Sequence, residues 1–233
     1  EIMPSLVGSE MCIRDRLQCE TVFTIPVLGG IPVSEAVVVT WIIMAVLVIV
    51  AFILTRNLKV DHISKRQAVA ESIVTGLMNM VQGMVGEKGR KYVPYLTTVM
   101  LYIGVSNIIG LFGFKSPTKD LRVTVALALM SIILIEAAGI YHKGVKRWLH
   151  GFVEPVAIVT PINILEVVTK PLSLCMRLFG NVLGAFVIME LLKMILPVGL
   201  PVVFSLYFDI FDGLLQAYVF VFLTSLYIDE ITE

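Results

Sequence analysis

Arg177 carries a permanent charge in surroundings that oppose charge: it sits deep in a long apolar stretch, and twelve uncharged residues, Leu178 to Met189, follow it. At 100° per residue, Glu166, Lys170, Ser173, Arg177 and Asn181 fall on one helical stripe, because separations of four, seven and eleven residues return to nearly the same azimuth. Pro171 interrupts this pattern, so a helix start or a kink is expected there and the stripe is firmest from Ser173 onward. On the final helix Asp209, Asp212 and Gln216 share a face, the two acids lying seven and four residues from the glutamine. Glu190 lies about 220° round from Arg177 by the helical period and points away from it. Two separate polar zones therefore emerge within apolar helices, and ionisable groups at membrane depth are functional candidates by default.

The chemistry such a layout suits is ion translocation. One fixed cation stands in low dielectric, with acids and amides lining two water paths that do not join. Arginine fits the fixed role because its pKa exceeds about 12, whereas a buried lysine can be neutralised. The only acid on the same face of the same helix is Glu166, about three turns earlier. The counter-charge is thus expected from another subunit. Plainer readings stand beside these: Arg177 as a structural arginine paired within the bundle, and Asp209, Asp212, Lys193, Asp229 and Glu230 as helix-end charges reaching the headgroups.

The elements that must position these residues are membrane helices. Of 233 residues, 58% are hydrophobic and 15% charged, against about 25% charged in an ordinary soluble domain. Lys+Arg and Asp+Glu are both 18, which leaves no basic excess for nucleic acid. Cys12, Cys19 and Cys175 form no CxxC pair, so neither a disulfide framework nor a zinc site is suggested. The run LVGSEMCIRDR, Leu6 to Arg16, back-translates to a transposon adapter of the kind used in sequencing libraries, and residues 1–16 are set aside as foreign, Cys12 with them.

Twenty uncharged residues separate Glu35 from Arg56, the length of one membrane crossing. Twenty-three more, Tyr92 to Phe114, make a second, and about Val123 to Tyr141 a third, which carries Glu136. Between the first two, the segment 61–89 places Val69, Ile73, Gly76, Leu77, Met80 and Met84 at helical spacing among charged residues and reads as an amphipathic surface helix. Seven Lys and Arg lie between spans one and two and three between spans two and three, which puts residues 56–91 in the cytoplasm. Residues 17–34 would then be extracytoplasmic. Two further long stretches, 161–196 and 200–228, hold the polar zones. Asp120 is expected to cap or turn the chain, Glu136, His142 and His150 to be interfacial rather than ligands, and Gly104, Gly110, Gly180 and Gly184 to allow close helix approach.

The run PLSLCMRLFGN, Pro171 to Asn181, resembles the signature of subunit a of the F-type ATP synthase, the membrane stator facing the rotating c-ring. SNIIGL (Ser106 to Leu111), PTKDLRVT (Pro117 to Thr124), PINILEVVTKP (Pro161 to Pro171) and QAYVFVFLTSLYI (Gln216 to Ile228) match in the same order, over roughly residues 35–230. The resemblance implies an all-α membrane protein of about five membrane-embedded helices plus one amphipathic surface helix, the last two helices long and tilted. It implies that Arg177 meets the ionised carboxylate of each c subunit and keeps two aqueous half-channels apart, with Asn181 and Gln216 as its polar neighbours. Implied partners are the c-ring, b-type peripheral stalk subunits, the soluble catalytic head and the lipid bilayer, with no nucleic acid and no cofactor. The implied location is a bacterial plasma membrane, and the implied role is non-catalytic.

The sequence departs from the family pattern at two places. Many members have a glutamate where this chain has Phe186, with Glu190 one turn later, and some have a histidine where this chain has Asp209. Glu190, Asp209 and Asp212 are accordingly expected to line the outer half-channel, and Glu166 and Ser173 to lie nearer the cytoplasmic exit. The rival reading is a stand-alone secondary ion transporter, which should show internal repeats that are absent between the two halves. An intramembrane hydrolase would need a HExxH, GxSxG or phosphate-loop motif, and none is present.

Overall fold

The computed structural model describes residues 21–25, 31–56, 65–86, 89–112, 116–145, 148, 160–195 and 204–232; the adapter-like run at 1–16 and His150 lie outside the described residues. Two short strands come first, β1 (Thr21–Ile25) and β2 (Ile31–Ser34), paired antiparallel with Ile25 opposite Ile31 and Thr21 opposite Ser34. An all-α reading passes over this hairpin, although the sequence between the strands holds Gly29–Gly30, a common hairpin-turn signal.

Six long helices follow: α1 (Glu35–Thr55), α2 (Lys65–Val85), α3 (Val93–Ile108), α4 (Leu121–Lys143), α5 (Thr160–Ile195) and α6 (Phe204–Thr232). Their ends follow from local chemistry. Pro94 stands in the first turn of α3, where no intrahelical N–H is needed. Asp120 caps α4 by accepting the Arg122 backbone N–H at 3.0 Å. α2 and α4 stop at Gly86 and Gly144, whose φ angles of 69° and 76° suit glycine alone. α3 runs on as a tight 3-10 turn, Ile109–Phe112.

Side-chain contacts fix how the helices alternate. At one end of the bundle Lys91 Nζ donates to Tyr141 Oη at 3.1 Å, joining the start of α3 to the end of α4. At that same end Gly139 of α4 lies against Ile231 of α6. At the opposite end Ser34, ahead of α1, donates its hydroxyl to Asp120 at 2.6 Å, and Asn107 of α3 meets Gly213 of α6 at 3.0 Å. α3, α4, α5 and α6 thus run alternately up and down.

Among the described residues five helices are long and apolar enough to cross a membrane: Glu35–Thr55, Gln67–Val85, Leu121–Lys143, Leu165–Leu192 and Phe204–Thr232. α3 with its 3-10 extension completes the hairpin with α4. α2 meets the length criterion too, yet it buries only its far end, at Val81 and Val85, while Val69, Ile73 and Val74 stay exposed. α1 buries Ala36, Val39 and Ile43 alone and exposes Val48, Phe52 and Ile53 by about two thirds of their surface, an arrangement that suits a face turned to lipid.

The core lies where α6 meets α3 and α4, around Phe220, Val221 and Ile228 with Leu96, Ile103 and Ile135. Between membrane helices, close packing and hydrogen bonds replace the hydrophobic drive. The buried hydroxyls of Thr97, Thr224 and Ser225 accordingly bond to the carbonyl four residues back.

Candidate functional site

α5 packs through one side only. Leu174, Cys175 and Leu178 are buried, the Cys175 thiol 3.6 Å from the Thr124 hydroxyl of α4. The other side carries Leu172, Ser173, Met176, Arg177, Gly180 and Asn181, all exposed on the isolated chain. Among the described residues Arg177 makes no ion pair, and the site holds a bare guanidinium facing outward. Gly180 and Gly184, expected to admit a neighbouring helix, have nothing within 4 Å of where a Cβ would stand. Close approaches between helices occur at Gly104 and Gly110, as expected, and also at Gly139 and Gly213. Pro171 stands inside α5, which is continuous through it.

Two cross-links hold α5 to α6. Lys170 Nζ lies 3.3 Å from Glu166 and 3.1 Å from Glu230, with Tyr227 beneath it at 5.3 Å. One turn past Arg177, Asn181 Nδ2 donates to Gln216 Oε1 at 2.5 Å. Advancing on α5 means retreating on α6, so the pair is antiparallel, and continuing in that direction brings Glu190 level with the Asp209–Asp212 turn. The residues singled out from sequence therefore fall into three levels. Glu166 is at the Lys91 end with Ser173 between it and Arg177; Arg177, Asn181 and Gln216 are in the middle; Glu190, Asp209 and Asp212 are at the opposite end. Asn181 and Gln216 touch directly, Glu166 is held by Lys170, and Ser173 is exposed.

The shared face of Asp209, Asp212 and Gln216 needs correction, because Tyr207–Asp212 is π-helical. The wider turn shifts the phase between Asp209 and the glutamine, while Asp212, at its end, keeps the four-residue α spacing to Gln216. Asp209 accepts from Ser205 at 2.8 Å and packs on Gly110, whereas Gln216, buried to 2% exposure, reaches Asn181. The Gln216 Nε2 amide has no hydrogen-bond partner among the described residues, an uncommon state for a buried donor. Lys119, one of the three cations between spans two and three, holds its ammonium 4.4 Å from the Phe186 ring centre. Asn107 was passed over as one polar residue of an apolar span; its amide inside SNIIGL was the available signal. Glu136 accepts from Trp148 Nε1 at 2.9 Å. Among the described residues no three His, Cys, Asp or Glu side chains gather as a metal site would require.

The arrangement is therefore an unpaired cation at mid-height, flanked by an amide pair, with acids above and below it on the seam of two antiparallel helices. Residues 37–229 match the ATP synthase A chain family. The chain belongs to that family. It is 36% identical over 203 residues to ATP synthase subunit a of Moorella thermoacetica, covering 86% of this chain and 92% of that one. It is 35% identical to the sodium-ion-specific ATP synthase subunit a of Propionigenium modestum, covering 85% and 74%, and 30% identical to ATP synthase subunit a 1 of Crocosphaera subtropica, covering 85% and 86%. The family matches span α1 to α6 and take in every residue of the three levels.

Proposed function

We propose that this chain is the membrane stator of an F-type ATP synthase, passing protons or sodium ions through two half-channels against the rotor's c-ring and so coupling an ion gradient to ATP synthesis. Residues 35–230 form the membrane domain, in a bacterial plasma membrane. The observation that carries this reading is the outward-facing Arg177 with no counter-charge among the described residues, on a glycine-bearing face that nothing covers. A guanidinium at membrane depth costs several kcal/mol unless paired, and a carboxylate on each c subunit supplies that pair in turn.

In this mechanism an ion enters by Glu190, Asp209 and Asp212, neutralises a rotor carboxylate, and rides the ring round to the exit near Ser173 and Glu166. Arg177 blocks the direct route because it holds its proton and repels cations. Asn181 and Gln216 keep the polar wall beside it. One elementary charge moved through 100 mV releases about 2.3 kcal/mol, so several ions pass per ATP made. The bond chemistry belongs to the soluble head, and b-type stalk subunits hold the stator to it.

The test is the whole complex in liposomes, comparing wild type with Arg177→Ala for ATP synthesis under an imposed gradient and for passive ion leak. Loss of synthesis in an assembled complex, with raised leak, is expected. Coupled synthesis near the wild-type rate would overturn the assignment. Ion exchange by the isolated chain without a rotor would favour a stand-alone transporter instead.

A further inference from the structure

Three parts of the fold meet at the outer end of the bundle around one amide. Asn107 is buried near the end of α3 and both ends of its side chain are used: Nδ2 donates to the Gly213 carbonyl at 3.0 Å, and Oδ1 accepts from the Thr118 hydroxyl at 2.9 Å. Thr118 is fully buried and touches the Ser116 hydroxyl at 2.7 Å, while Ser116 reaches the Ser106 carbonyl at 2.8 Å. The amide is thus anchored in the connection between α3 and α4.

What it grips is the point where α6 changes type. The π segment Tyr207–Asp212 ends there, and the Gly213 N–H is shared between the carbonyls of Phe208 and Ile210. A π turn holds one more residue than an α turn, so side chains before it are rotated against those after it. The position of that turn sets how Asp209 and Asp212 are aimed relative to Gln216. The backbone of α6 alone does not fix that position, since sliding the turn by one residue exchanges one set of intrahelical bonds for another. Contacts from α3 fix it. A Cβ on Gly213 would stand 2.7 Å from the Asn107 Cβ, and one on Gly110 would stand 3.1 Å from the Asp209 carboxylate, so α3 and α6 are locked at two glycines with the Asn107 bond beside one of them.

We infer that Asn107, oriented by Thr118, is a positioning residue for the ion path: it pins the π-to-α junction of α6 at Gly213 and thereby sets the direction in which Asp209 and Asp212 present their carboxylates. Asn107 carries no ion itself, because its amide is committed at both ends. This inference rests on the half-channel reading above.

The test uses the assembled complex in liposomes at fixed membrane potential. The rate of ATP synthesis is followed against the source-side concentration of protons in sodium-free buffer, and against Na+ at fixed pH, for wild type, Asn107→Ala, Thr118→Ala and Thr118→Ser. In the ion that drives synthesis, Asn107→Ala and Thr118→Ala should raise the half-saturating concentration about three- to ten-fold, the range that losing one buried hydrogen bond produces. The rate at saturation should stay near wild type, passive leak should not rise, and Thr118→Ser, which keeps the hydroxyl, should restore the wild-type value. A merely structural role would lower the rate at all concentrations without moving the half-saturation point. Unchanged half-saturation in an assembled Asn107→Ala complex overturns the inference. Should Asn107→Ala not assemble, the Thr118 pair decides: no shift in Thr118→Ala, or a shift that Thr118→Ser fails to reverse, overturns it as well. Arg177→Ala, run in parallel, separates the two levels: a coupled Arg177→Ala complex refutes the half-channel reading, whereas an uncoupled one with an unshifted Asn107→Ala refutes the clamp alone.

Discussion

Gly213 and Gly180 look alike in the sequence, each a glycine in an apolar helix, and the structure predicts opposite results for replacing them with alanine. At Gly213 the new Cβ would lie 2.7 Å from Asn107 Cβ. Ordinary contact begins near 3.4 Å, so α6 and α3 must part by about 0.7 Å, which stretches the 3.0 Å bond from Asn107 to the Gly213 carbonyl beyond useful range. Overpacking of this kind costs about 1–3 kcal/mol, and an interhelical hydrogen bond in a membrane about 0.6–1.7 kcal/mol. The better helix propensity of alanine returns about 1 kcal/mol. The net is a loss of about 1–3 kcal/mol for Gly213→Ala. At Gly180 nothing lies within 4 Å, so only the propensity gain remains for the chain itself, about 1 kcal/mol of stabilisation. The assay is thermal unfolding of the full chain in detergent micelles, followed by tryptophan fluorescence, beside recovery of the c-ring on purification. Gly213→Ala should melt lower; Gly180→Ala should melt at or above wild type while impairing association with the ring. Equal melting of the two variants, or a less stable Gly180→Ala, would refute the assignment of one glycine to the internal seam and the other to the open face.

Gln216→Leu breaks the bond from Asn181 but also removes a buried nitrogen that has no partner among the described residues; the two effects oppose each other, so stability should change by less than about 1 kcal/mol while ATP synthesis falls, and a large loss of both together would count against a channel role. Ser34→Ala deprives the buried Asp120 carboxylate of its 2.6 Å donor and should destabilise the chain by about 1–3 kcal/mol in the same melting assay, with Ser34→Thr retaining most of the stability. Lys170→Met breaks contacts to Glu166 and Glu230, each about half exposed at 49%, and should shift stability by less than about 1 kcal/mol. A large shift on melting would mean the lysine anchors α5 to α6 more firmly than a solvated pair does.

The sequence made the scaffold legible because membrane helices obey a simple constraint. Uncharged runs of crossing length mark α1 and α3, an apolar run that carries only Glu136 marks α4, and the amphipathic run before Gly86 marks α2. Asp120 reads as a cap on chemistry alone, and it caps α4. The hairpin at Thr21–Ser34 was overlooked because hydropathy dominates a chain of this composition, although Gly29–Gly30 announced a turn. Gly180 and Gly184 meet no helix among the described residues. Small residues serve close approach wherever it occurs, and nothing local tells whether the approaching helix belongs to the same chain.

What the sequence determined by itself was the set of chemical roles: a permanently charged arginine deep in an apolar helix, acids kept apart from it, and an order of motifs that belongs to one family. These depend on residue type and on a period of 3.6, both of which are local. Tertiary structure decided which of those residues meet. The partnership of Asn181 with Gln216, the bridge of Lys170 to Glu230 and the grip of Asn107 on Gly213 span 35, 60 and 106 residues, and no local period encodes them. The π turn at Tyr207–Asp212 decided the rest, because one extra residue in a turn rotates Asp209 off the face that a regular helix would share with Gln216. That extra residue is stabilised by what packs against it, not by its own sequence, and only the folded bundle supplies those contacts.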